Sequence, residues 1–165
     1  MSIDDDHLYH GAALIQIAEE PRFTAINAFK IKKKTYRSVY RVNDDVAVYL
    51  KYASKPSKPY SEYVFTFKSE HLADLVAISK AAEATFITLV CVEDRIICCL
   101  SYTEFMRLRT VREQAFGGPE NQLTILVTVP AGKKLRVYVN SPGKKNSTLG
   151  TLLVSRNAFP GAVFE

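Results

Sequence analysis

The sequence predicts one α+β domain, a central mixed sheet flanked by two main helices, on two observations. Helical apolar repeats near the N-terminus and the middle of the chain are separated by short runs rich in Val, Ile, Tyr and Phe. At 165 residues the chain is long enough for one core and short for two, so neither disulfides nor a bound metal is needed to hold it. Within the single domain, residues 1–116 are expected as the α-β core. Residues 117–165 are expected as a C-terminal β-hairpin appendage and tail, not an independent domain.

Residues 8–20 place Leu8, Ala12, Ile15 and Ala18 on one helical stripe, widened by Leu14 and Ile17. The preceding acids Asp4, Asp5 and Asp6 suit the positive end of a helix dipole, and Pro21 ends the segment. Strand formers fill 23–31, while 36–42 and 46–54 flank Asn43-Asp44-Asp45, residue types that tolerate a turn. These predict three strands, the last two a hairpin. Pro56 and Pro59 make 55–59 a loop. A strand over 60–67 then leads to Ser69, an N-cap type, and to a helix reaching about residue 83 that buries Leu72, Leu75, Val76 and Ile78. Residues 86–92 and 96–100 are apolar at both parities around Glu93-Asp94-Arg95, the pattern of a hairpin covered on both faces. A short helix over 103–109 and the break Gly117-Gly118-Pro119 follow. Leu123, Ile125, Val127 and Val129 alternate in one strand, and Leu135, Val137 and Val139 in its hairpin partner. In the tail, Phe159, Val163 and Phe164 offer apolar side chains that could dock on the body.

An acidic N-terminus is unlike a secretory signal, and no run approaches the ~18 apolar residues of a membrane span. Cys91, Cys98 and Cys99 lie in one apolar region, an odd count that predicts reduced thiols and a cytoplasmic protein. There the sequon Asn146-Ser147-Thr148 meets no glycosylation machinery.

The net charge of +5 is concentrated in one place. Residues 30–58 carry Lys30, Lys32, Lys33, Lys34, Arg37, Arg41, Lys51, Lys55 and Lys58 against Asp44 and Asp45, a local +7. Six tyrosines, Tyr36, Tyr40, Tyr49, Tyr52, Tyr60 and Tyr63, interleave with these cations. Cations hold phosphates and aromatic faces stack bases, so the segment is a candidate DNA or RNA surface. Strand alternation puts Arg37 and Arg41 on one face and Tyr36 and Tyr40 on the other. The competing reading is an edge strand kept from aggregating by its lysines, with the tyrosines at the rim of the core. Arg107, Arg109, Arg112, Lys133, Lys134, Arg136, Lys144 and Lys145 would matter only if they converged with this patch.

The order helix, three strands with a hairpin, helix, strand, together with Val48-Tyr49-Leu50-Lys51 on the third strand, resembles the PD-(D/E)xK, or restriction-endonuclease-like, fold over residues 8–92. That family holds a divalent metal on an acid of the second strand and an acid two residues before a lysine on the third, and the lysine organises or deprotonates the attacking water. The resemblance gives Lys51 the lysine's place and offers Glu19 or Glu20 as the extra helix acid of some members. Ser38 or Tyr40 stands where the strand acid belongs, and Tyr49 where the Glu belongs. A phenol titrating near ~10 does not replace a carboxylate on a hard metal. The resemblance therefore implies a nuclease-like domain with a degenerate active site.

Asp44 and Asp45 at the hairpin turn, with Glu62, form a second acid set. His7 and His10, beside Asp4–Asp6, read as exposed terminal residues and His71 as ordinary surface, while the cysteines are too few for a closed zinc site. No metal site is assigned, and no cofactor is expected unless an active nuclease using Lys51, Glu19 and Asp45 takes Mg²⁺ or Mn²⁺. Three functions stay open: a nucleic-acid-binding, catalytically degenerate domain, a protein-interaction or scaffold module, and an active metal-dependent nuclease. No membrane partner is expected.

Overall fold

The computed structural model describes residues 2–165. Helix α1 (Asp5–Glu19) starts with a reciprocal cap: the Asp4 carboxylate accepts the His7 amide at 2.9 Å, and His7 Nδ1 accepts the Asp4 amide at 3.1 Å. Strands β1 (Ile26–Ile31), β2 (Lys34–Val42) and β3 (Val46–Ala53) form an antiparallel meander. The chain then leaves this sheet as β4 (Tyr63–Lys68) and crosses back through α2 (Ser69–Ala81) to β5 (Ala84–Cys91), parallel to β3, and β6 (Ile96–Ser101), antiparallel to β5. The first sheet thus has five strands in the order β1-β2-β3-β5-β6. Helix α3 (Tyr102–Phe116) leads to β7 (Gln122–Thr128), β8 (Leu135–Asn140) and β9 (Thr148–Val154). With β4 these make a second, antiparallel sheet in the order β4-β7-β8-β9.

The α+β class holds, but among the described residues the α-helices number three and the sheets two. One face of the first sheet packs Val42, Val48, Leu50, Val90 and Cys99 against Ala13 and Ile17 of α1 and against Phe159 and Val163 from the tail. The tail therefore docks beside α1. The other face shares one continuous core with α2, α3 and the second sheet. Residues 117–165 are for that reason not peripheral: Ile125, Val137 and Val154 sit in the same core as Tyr49 and Leu89. The predicted hairpin is the middle of a sheet whose edge, β4, comes from far upstream. Gly150 in β9 takes φ +63, and a Cβ there would meet Val111 of α3 at 3.3 Å, so glycine is what lets this strand approach the helix.

Several expectations are corrected. On α1 the buried residues are His10, Ala13 and Ile17, while Leu8, Ala12, Ile15 and Ala18 face outward. Helix α3 runs to Phe116, past the expected end at 109, and stops where Gly117 turns left-handed at φ 95°. Tyr36 and Tyr40 point to opposite faces, each packing with a different core cluster. The cause is an irregularity in β2: Ser38 adopts φ +62° where the β1–β2 register shifts, which reverses the alternation on either side. Among the described residues no helix is long and apolar enough to cross a membrane.

Candidate nucleic-acid interface

Because β2 runs antiparallel to β3, the start of β2 and the end of β3 lie at the same end of the sheet. At that end stand the exposed Lys32 and Lys33 of the β1–β2 turn, Lys34 and Arg37 of β2 and Lys51 of β3, with Lys55 and Lys58 in the loop that follows. Glu93 and Asp94 stand there also, because β5 runs parallel to β3 and the Glu93 amide donates to the Ser54 carbonyl at 3.1 Å. Lys30, near the end of β1 on the edge of the sheet, joins them. Arg41 does not: it lies at the opposite end, where Nη1 donates to the Asp44 carbonyl at 2.9 Å and the guanidinium stacks 4.5 Å from the Phe29 ring centre. Two of these exposed cations have half-buried carboxylate partners, Lys34 with Asp74 at 3.3 Å and Arg37 with Asp6 at 3.2 Å. Ion pairs with an exposed cation of this kind contribute little to stability.

A cleft of about 490 Å³ opens at this cationic end, between the first turns of α1 and α2. Lys51 is half-buried in it, with Nζ 5.2 Å from the Phe67 ring centre and, among the described residues, no carboxylate within 4.0 Å. Burial, helped by the like charge of Lys68, lowers its pKa. His10, on the α1 side, is 6% exposed and its Nε2 has no hydrogen-bond partner. Burial lowers its pKa, with Asp6 opposing and Lys51 and Arg37 reinforcing. His71 of α2 accepts the Lys68 amide on Nδ1 at 3.1 Å, so the neutral ring carries its proton on Nε2. Burial and Lys51 lower its pKa too. Tyr49 is pushed up to about 12 by burial and by Asp74 and Glu70, and stays a phenol.

Lys51, Tyr49 and Ser38 therefore line one cleft, but the acids proposed to join Lys51 do not. Asp45 is exposed at the far end of β3, a strand's length or about 20 Å away. Glu19 is exposed at the last turn of α1, about 13 Å along the helix from His10. Glu62 is buried against Tyr138 in the other sheet. Among the described residues no three His, Cys, Asp or Glu side chains are grouped to hold a metal ion. The cleft instead mixes charges: the Lys51 ammonium, without a carboxylate partner among the described residues, and the His10 and His71 imidazoles lie beside Arg37 and the carboxylates of Asp6, Glu70 and Asp74, groups able to hold a polar ligand or move a proton.

The expectation that His10 is an exposed terminal residue is corrected, since it is buried, and His71, expected as ordinary surface, lines the cleft with it; Asp6, Glu70 and Asp74 are not singled out as cleft residues by the sequence. His10 had one legible signal: it lies three and seven residues before Ala13 and Ile17, hence on their face. Cys91, Cys98 and Cys99 are buried free thiols, as expected, with Cys98 and Cys99 on opposite faces. Comparison with family models, curated proteins and solved structures finds no match to the chain.

Proposed function

We propose that this domain binds nucleic acid through the cationic end of its first sheet, as a nuclease-like fold whose metal site is degenerate. The observation that carries the reading is the antiparallel β2–β3 pairing, which sets Lys32, Lys33, Lys34, Arg37 and Lys51 toward one end of the sheet, with Lys55 and Lys58 in the loop that leaves it. A polyanion laid there releases condensed counterions, the main source of sequence-independent affinity. The nuclease-like part draws support from the order α1, β1 to β3, α2, β5, with β4 inserted, and from Lys51 in a cleft. Tyr49 and Ser38 in the carboxylate positions favour binding over metal-dependent cleavage. The separation of Glu19 and Asp45 from Lys51 lends nothing to an active metal-dependent nuclease. Buried free thiols suit a reducing compartment such as the cytoplasm.

The test is fluorescence anisotropy of labelled DNA and RNA across salt, beside a variant with Lys32, Lys33, Lys34 and Arg37 changed to Ala. Log affinity should fall linearly with log salt, and the variant should lose about 0.7 of slope per phosphate contact on a single strand and about 0.9 on a duplex. An unchanged slope would remove this surface from the reading.

A protein-interaction module is the second reading, favoured by Leu8 and Ile15, exposed at 56% and 63% on the outer face of α1, and by Ile3 just before it. It gains ground if no nucleic acid binds at low salt.

A further inference from the structure

The structure sorts the six tyrosines of the basic segment. Tyr36, Tyr49 and Tyr63 are buried, Tyr40 and Tyr52 are half-buried against the α1-side core, and Tyr60 alone is exposed, at 42%. It projects from the loop that follows the cationic end of β3, with Lys55 and Lys58, also exposed, just before it. The base of this loop is closed: the Ser57 amide donates to the Glu62 carbonyl at 2.7 Å, and the Glu62 amide donates back at 3.2 Å. Below it the buried Glu62 carboxylate accepts the Tyr138 hydroxyl of β8. The adjoining Tyr63 hydroxyl donates to Asp94 Oδ2 at 2.5 Å and accepts the Asp94 amide at 2.9 Å. Tyr60 thus sits, 42% exposed, in a short loop whose base is tied to both sheets, which limits the backbone freedom lost on ordering the loop against a ligand.

We propose that Tyr60 is a base-stacking platform and that the cationic end accordingly takes single-stranded nucleic acid, a proposal that rests on the nucleic-acid reading above. An unpaired base offers a free π face to the ring, and Lys55 and Lys58 hold the phosphates beside it, whereas a duplex keeps its base faces stacked within. The stacking tolerates any base, because every base has such a face.

The chain contains no tryptophan, so Tyr60→Trp places a single indole at the loop tip. Titration of that full-length variant with an oligothymidylate should quench its fluorescence, and titration with a duplex of equal length should not. In anisotropy, Tyr60→Ala should weaken the single strand about tenfold and leave the duplex unchanged, while Tyr60→Phe, which keeps the ring, binds as wild type. Tyr60 is a surface residue, and a thermal melt of each variant reports whether the fold is intact. A folded Tyr60→Ala that binds single strands like wild type, or an indole that responds equally to both ligands, overturns the stacking proposal and leaves the cationic surface standing. Wild type that binds neither ligand at low salt overturns both.

Discussion

Changing Tyr138 to Phe tests the frame beneath the Tyr60 loop. Tyr138 and Glu62 are 2% and 5% exposed, and burial together with the Glu62 carboxylate raises the Tyr138 pKa, so the phenol remains a donor. Deleting the hydroxyl leaves a buried carboxylate oxygen without its partner. A hydrogen bond to a charged group contributes about 1.5–3 kcal/mol, and an orphaned acceptor costs at the upper end of that range. For a domain of this size each kcal/mol moves Tm by about 2–4 °C, so Tyr138→Phe should melt about 5–10 °C below wild type. Adding Glu62→Met should recover most of the loss, since removing both partners together is nearly neutral. Thermal and urea melts of the two single variants and the double variant give the coupling between them. A Tyr138→Phe protein that melts with wild type, or a double variant weaker than both singles, would refute the reasoning. The same substitution loosens the loop's anchor and should lower single-strand affinity with every lysine still in place.

Two further outcomes follow from buried groups. His10 is held below its ordinary 6.5 mainly by burial, so as pH drops through that value the unfolded chain takes up a proton that the folded one refuses; stability is full above it and falls below it. His10→Gln should flatten part of that decline in urea midpoints, with His71 accounting for part of the remainder, and an unchanged curve would place His10 in solvent. Burial raises Cys91 and Cys99 to about 12 and pushes Cys98 well above the ordinary thiol value, so a thiol reagent should modify none of the three in the native protein and all three in denaturant. One rapidly reacting native thiol would contradict the packing of β5 and β6.

Local signals carried much of the fold. Leu72, Leu75 and Ile78 mark the buried face of α2 as their spacing predicts, while Val76, expected with them, is half-buried, and the two apolar parities of β5 and β6 reflect cores on both sides. On α1, by contrast, apolar residues line most of the circumference, and periodicity cannot choose between two overlapping stripes. The choice fell to tertiary packing, which buried His10 with Ala13 and Ile17. Helix α3 hides its last turns behind polar residues: Arg112 reaches Glu120 at 2.6 Å and the Asn140 carbonyl at 2.7 Å, non-local contacts with no sequence signature. The left-handed Ser38 was likewise illegible, since serine has no special claim on positive φ, and it alone undid the predicted grouping of Tyr36 with Tyr40. As for the candidate interface, the abundance of lysines was evident from composition, but the cleft joins α1, β3 and α2, and such convergence exists only once the strands are paired.

The excursion of β4 into the second sheet has a consequence for biosynthesis. Tyr63 pairs with Val127, and at about 5–20 residues per second a ribosome takes on the order of 3–13 s to cover that gap. Through that interval β4 has no strand to bond to, and Phe65 and Phe67, fully buried in the finished protein, have no second sheet to enter. The nascent chain therefore carries an open apolar strand edge for seconds, the stage at which a holding chaperone would act and at which aggregation competes with folding.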